Sequence, residues 1–277
     1  MKGCGVAGFQ APAATLEPAA ASVREEEKPV RRRLLQSLLL AMLPFAAVAA
    51  DKPPQAREAS AAGFRYLVFE TAGAKSDAAL PMIVGLHYSS AKPETMLEYF
   101  DRIDFPVRIV LPQGAYARRD GYSWFPADYA QLSASQQDDA AFDAERKLSA
   151  FVDAAAAKYT TFGKPVVMGI SYGGDLAFLL AIRHPDKVSA SFPVAARFLP
   201  AWLPKTNACK PRCPQIHAMH GDADTTVPMA PTQRAAARLR EMGFDVRFES
   251  YPGVAHDFDA RMEKDFSEKA KNLFAQP

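Results

Sequence analysis

Between residues 64 and 250 the chain alternates short apolar runs with helical patterns, and this alternation leaves few folds open to it. Runs of five to seven residues at 64–70, 82–86, 107–111, 165–169, 188–192, 215–220 and 246–250 are rich in Val, Ile, Phe, Leu and Met. Their length and composition predict buried strands. Helical periods are read at 94–100, 137–159, 176–183, 232–242 and 262–274. In the longest of these, Phe142, Leu148, Phe151 and Val152 share one face. Strands that are apolar throughout and separated by helices imply an α/β architecture: a mostly parallel central sheet with helices on both faces.

Two stretches resist either pattern. Residues 112–135 hold Trp124, Phe125 and Pro126, and residues 195–214 hold Cys209 and Cys213. Both are long for simple connections, so they are expected to be loops that shape a pocket.

The first fifty residues read differently from the rest. Arg31, Arg32 and Arg33 precede an apolar run over residues 34–50 that ends in Ala47-Val48-Ala49-Ala50. A positive start, an apolar middle and a small-residue end describe a secretory signal, and the arginines also suit twin-arginine export. The expected organisation is a leader and signal peptide over 1–50, a polar linker over 51–62 and a catalytic domain over 63–277. The mature protein is then periplasmic or secreted, with no stable membrane insertion after cleavage. Loss of residues 1–50 takes six basic and four acidic side chains with it and leaves 27 of each sign. A neutral domain does not suit a polyanion, so nucleic acid is not expected as a partner. Export also gives Cys209 and Cys213 a plain reading, a small disulfide formed in an oxidising compartment.

Gly169-Ile170-Ser171-Tyr172-Gly173 is a G-x-S-x-G sequence placed between a predicted strand and a predicted helix. That setting is what the pattern needs to act as a nucleophile turn, since it lifts a serine hydroxyl to the carboxyl edge of the sheet beside a helix N-terminus. A capping serine among tightly packed glycines is the bland alternative. A serine hydroxyl needs a base. His256 follows the strand at 246–250 and so belongs to the same edge. After the strand at 215–220, His220-Gly221-Asp222-Ala223-Asp224 offers two aspartates to orient that histidine. Asp224 lies further out on the loop, while Asp222 suits a turn-holding role. His217 and His220 are three apart on a strand, point to opposite faces and cannot share a metal, so no metal site is expected. His184 ends a helix, where a cation suits the dipole.

Together, Gly169–Gly174, His220-Gly221-Asp222-Ala223-Asp224 with Val227-Pro228, and Tyr251-Pro252-Gly253 with His256 resemble the phospholipase/carboxylesterase group of α/β-hydrolases. Acyl-protein thioesterases and compact bacterial carboxylesterases belong to that group, and dienelactone hydrolases and secreted polyester depolymerase-like esterases are similar to it. The resemblance implies Ser171 as nucleophile, Asp224 as acid and His256 as base, acting on a small-molecule carboxylic ester or thioester through an acyl-enzyme, with no cofactor. It implies an oxyanion hole from the backbone N–H groups of Tyr172 and Ser89. Relatives carry glycine where this chain has Tyr88, so Tyr88 is expected to narrow the acyl pocket. Gly121-Tyr122-Ser123-Trp124-Phe125-Pro126 resembles a segment flanking the group's cleft, which makes Trp124 and Phe125 candidate substrate-lining residues. A serine peptidase with the same triad, or a non-catalytic binding protein on the same fold, are the alternatives.

Overall fold

A computed structural model describes residues 56–275; the leader and signal segment expected over 1–50 lie outside the described residues. The chain enters the sheet through β1 (Arg57–Ala61) and β2 (Phe64–Glu70), then lays down β3 (Met82–Leu86) and β4 (Arg108–Pro112). A small hairpin, β5 (Tyr116–Arg118) and β6 (Gly121–Ser123), precedes α1 (Ala134–Lys158). From there strand and helix alternate: β7 (Val166–Ile170), α2 (Tyr172–Arg183), β8 (Ala190–Val194), β9 (Gln215–Gly221), α3 (Met229–Glu241), β10 (Val246–Tyr251) and α4 (Ala260–Ala275).

Eight strands form one sheet in the order β1-β2-β4-β3-β7-β8-β9-β10. The six from β4 to β10 are parallel, and β1 and β2 close one edge antiparallel. Each central strand is buried on both faces, which is why it reads as an unbroken apolar run. Alternate residues supply the two cores. Met82, Val84, Val110 and Val167 pack with Leu148 and Phe151 of α1, Leu176 of α2 and Leu239 of α3. Ile83, Ile109, Val166 and Met168 pack on the other face with Met96, Phe100 and the Met262, Phe266, Ala270 stripe of α4. Helices thus cover both faces, as expected.

Four expectations shift. Residues 57–61, expected to be linker, form β1. Its five residues pair with β2, and Arg57 bonds Glu70 while Arg65 bonds Glu58, so the strand is polar because it lies at the sheet edge. Residues 112–135 are only partly irregular, holding β5, β6 and a 3-10 turn at Tyr129–Gln131. The segment Pro93–Phe100 is a 3-10 helix. The strand expected at 188–192 runs two residues later and passes through Pro193. Its pairing with β9 breaks at Phe192 and Pro193, where proline has no N–H to offer.

Strand order reverses at β3, with β4 on one side and β7 on the other. An open parallel sheet forms its crevice at such a point, beyond the carboxyl ends of the strands.

Candidate active site

Ser171 occupies the turn between β7 and α2 with φ 53 and ψ −119, a conformation that strains a residue bearing a side chain. The turn is held from both sides: the Ser171 N–H donates to the Val194 carbonyl at 2.9 Å, and the Asp175 N–H donates to the Ser171 carbonyl at 2.9 Å. Gly173 makes the turn possible. A Cβ there would run into the backbone carbonyls of Leu86 and His87, so only glycine lets α2 begin against the end of β3.

The side chains of Ser171, Asp224 and His256 meet beyond the carboxyl ends of β7, β9 and β10. His256 Nε2 lies 3.0 Å from Ser171 Oγ, and His256 Nδ1 lies 2.7 Å from Asp224 Oδ2. Asp224 is buried, and its Oδ1 accepts the N–H groups of Thr226 at 2.9 Å and Val227 at 2.8 Å. A carboxylate only accepts, so Nδ1 carries the imidazole proton and Nε2 presents its lone pair to the serine hydroxyl. His220, buried beside them, donates from Nε2 to the Val227 carbonyl at 2.8 Å. Burial lowers its pKa, against the raising effect of that bond and of Asp224. Asp222 takes no part in the triad geometry. Its Oδ1 accepts the Gly253 N–H at 2.7 Å and ties the loop that carries His256 to the loop that carries Asp224.

The segment after β3 is clamped on both sides. His87 is fully buried, and its Nε2 accepts the Gly114 N–H at 2.9 Å, so its proton sits on Nδ1 and is donated to the Tyr88 carbonyl at 2.7 Å. Burial brings the His87 pKa down to about 4, with the bond to Tyr88 opposing the shift. Trp124 stacks on this imidazole at 4.8 Å and donates from its indole N–H to the His87 carbonyl at 2.6 Å. The Ser90 N–H donates to the Tyr122 carbonyl at 2.8 Å, and the Tyr122 N–H to the Ala91 carbonyl at 2.9 Å. Gly121 packs so closely on Ser90 and Ala91 that a Cβ would collide with both carbonyls. Ser89 is thereby presented to the cleft next to Tyr172, the first residue of α2, whose backbone N–H has no partner within its helix. The Ser89 hydroxyl oxygen is itself buried and has no bonding partner among the described residues.

Around Ser171 the cleft encloses about 620 Å³. Tyr88 lines it, with Tyr99 and Phe258 beside it. Trp124 and Phe125 do not, contrary to the sequence expectation. Trp124 is consumed in bracing His87, and Phe125 is fully buried, stacked on Tyr129 at 4.3 Å with Tyr172 edge-on at 4.9 Å. The sequence reading missed the basic side of the cleft, formed by Arg118, Arg119 and Arg197. Arg197 lies over the Tyr172 ring at 4.8 Å, and Asp175 accepts its N–H at 2.7 Å and its Nε at 3.0 Å. Burial pushes the Asp175 carboxyl up, while the Arg197 guanidinium pulls it down. One signal was available: Asp175 is the only charge in the otherwise apolar stretch from Tyr172 to Ile182. Cys209 and Cys213 are disulfide-bonded, and Asn207 holds that loop to Met242 at the end of α3, away from the cleft.

Residues 91–272 match the phospholipase/carboxylesterase family. Carboxylesterase SOBER1 of Arabidopsis thaliana is 25% identical over 142 residues, which are 48% of this chain and 60% of the plant protein. The chain thus covers less than two thirds of that relative. Among solved structures, esterase PE8 superposes with a TM-score of 0.62 at 22% identity, covering 72% of this chain and 94% of its own. A carboxylesterase from Mesorhizobium loti superposes with a TM-score of 0.64 at 19% identity, covering 80% and 99%. Both share with this chain the α/β-hydrolase sheet expected from the sequence.

Proposed function

Because the chain belongs to the phospholipase/carboxylesterase family, we propose that it hydrolyses carboxylic esters, thioesters included, through an acyl-enzyme on Ser171. The observation that carries this reading is the continuous hydrogen-bonded chain Ser171 Oγ–His256–Asp224, with bonds of 3.0 and 2.7 Å, anchored on a strained serine.

Ser171 Oγ attacks the ester carbonyl as His256 Nε2 takes its proton. Asp224 holds the resulting imidazolium by the Nδ1–H bond and stays ionised. The carbonyl oxygen gains charge, which the N–H groups of Ser89 and Tyr172 stabilise together with the α2 terminus. His256 Nε2–H then protonates the leaving alcohol or thiol, and water repeats the sequence to free the acid. These steps use only groups of the chain. The clamp of His87, Trp124 and β6 on the oxyanion loop supports the reading, because fixed donors need no rearrangement as charge develops.

The test is turnover of aryl esters graded from acetate to decanoate, with fluorophosphonate labelling of the folded protein. Ser171→Ala is expected to abolish labelling and to lower kcat by several powers of ten. Full activity in that variant rejects the mechanism, cleavage confined to peptide amides favours the peptidase, and a folded wild type that takes no label favours a binding protein. We also infer export to the periplasm or medium. Support comes from the arginine-led apolar run over residues 31–50 and from the Cys209–Cys213 bond, which persists in oxidising compartments. Amino-terminal sequencing of exported protein, expected to begin near Asp51, checks this.

A further inference from the structure

Arg118 ends β5 and Arg119 begins the turn of the β5–β6 hairpin, and both line the same cleft as Ser171. Among the described residues neither has a carboxylate within ion-pair distance. Arg118 is fixed nonetheless, since its Nη1 donates to the Ala127 carbonyl at 3.0 Å and leaves the other N–H groups free. Arg119 is held at φ 51 as the first residue of a two-residue hairpin turn, where that conformation matches the twist of the strands. The hairpin is also bonded to the oxyanion loop through Tyr122, Ser90 and Ala91, so the backbone that carries both arginines is fixed relative to Ser89.

Among the described residues Arg197 is paired with Asp175, whereas Arg118 and Arg119, which line the cleft together with Asp257, are not paired with a carboxylate. Guanidinium groups bind a carboxylate through paired N–H donors.

We propose that Arg118 and Arg119 form an anion subsite, and that the preferred substrates are esters carrying a free carboxylate on the acyl or the alcohol part. The inference rests on the esterase reading above for its chemistry, but the subsite can be tested without turnover.

Two matched pairs separate charge from shape: phenyl hydrogen adipate against methyl phenyl adipate, and 4-acetoxybenzoate against its methyl ester. At low salt the charged member of at least one pair is expected to have a kcat/KM at least tenfold above its neutral partner, and added salt should shrink the ratio. In Arg118→Gln/Arg119→Gln the ratio should fall tenfold or more, mainly through KM, with circular dichroism and Tm confirming the fold. Equal treatment of both pairs by the wild type, or a ratio unchanged in the double variant, overturns the subsite. Binding of both charged esters to Ser171→Ala, measured by calorimetry, is independent of catalysis. It should be lost when the two arginines are also replaced, and affinity equal in both backgrounds, or binding absent in both, rejects the proposal. Failure of the wild type to hydrolyse any ester would sink the esterase reading, and the calorimetry would still decide the subsite.

Discussion

Asp222 and Asp224 are two residues apart and are bound into different structures, which makes them a sharp test of what each does. Asp224 faces His256 Nδ1 and is fed by two backbone N–H groups, while Asp222 bonds Gly253 across the neighbouring loop. Asp224→Asn is expected to lower kcat by about 10³–10⁴, because an amide can donate to Nδ1 and so favours the wrong tautomer. Asp222→Ala should cost stability instead, about 1 kcal/mol for an exposed charge-assisted bond, with kcat lowered far less. Kinetics and thermal melts of the two variants check both expectations, and a larger kcat loss in Asp222→Ala would reverse the assignment. Of the site, the residues that meet at Ser171 were the most legible in sequence, because each follows a strand and parallel strands put their successors on one edge. Arg197 was not legible. Its partner Asp175 is 22 residues away, and only the return of β8 alongside α2 joins them.

Among the elements, β6 does the most for its length of three residues. Tyr122 bonds the oxyanion loop on both sides, and Trp124, just past the strand, holds the His87 carbonyl from beneath. Trp124 is therefore a positioning residue. Trp124→Phe keeps the aromatic stack on His87 but removes the indole N–H, leaving a buried carbonyl short of a partner. The expected result is about 1–3 kcal/mol of lost stability. As Ser89 shifts, kcat should fall about tenfold with KM nearly unchanged, a fraction of the 10²–10³ that losing a whole oxyanion donor costs. A rise in KM alone would mean that Trp124 shapes binding, as its expected place in the cleft wall suggested. Gly121→Ala should act in the same direction by pushing the hairpin off Ser90 and Ala91. The hairpin escaped the sequence reading because strands of three residues with Tyr116, Arg118 and Tyr122 show no apolar alternation. β1 escaped because an edge strand can afford Arg57, Glu58 and Ser60, so its polarity reads as linker. The buried strands had no such freedom and were visible within two residues of their observed limits.

At the scale of the whole molecule, two features set how the chain resists unfolding, one through the unfolded state and one through pH. The Cys209–Cys213 link closes a loop of five residues, which by chain entropy corresponds to about 2 kcal/mol. Cys209→Ser/Cys213→Ser should lower Tm by about 4–8 °C for a domain of this size and leave turnover intact, since neither cysteine lines the cleft. His87 acts in the other direction. Its pKa is about 4 in the folded protein, against 6.5 when unfolded. Between those values the unfolded chain takes up a proton that the native imidazole refuses, because its Nε2 lone pair is committed to the Gly114 N–H inside the core. The sign follows: stability is complete above about pH 6.5, falls as pH drops through that value, and stops falling from this source below about 4. From pH 7 to 4.5 the loss due to His87 comes to about 2 kcal/mol. Glutamine at position 87 can accept from Gly114 and donate to Tyr88 without titrating. His87→Gln should therefore be less stable than the wild type at pH 7, yet lose about 2 kcal/mol less on going to pH 4.5, as read from urea unfolding at the two pH values. The subtraction removes the contributions of His217 and His220, whose pKa values burial also lowers and which both proteins share. If the two proteins lose stability in parallel, His87 is protonated in the fold without cost, and the buried imidazole cannot be the fixed brace under the oxyanion loop that its bonds describe.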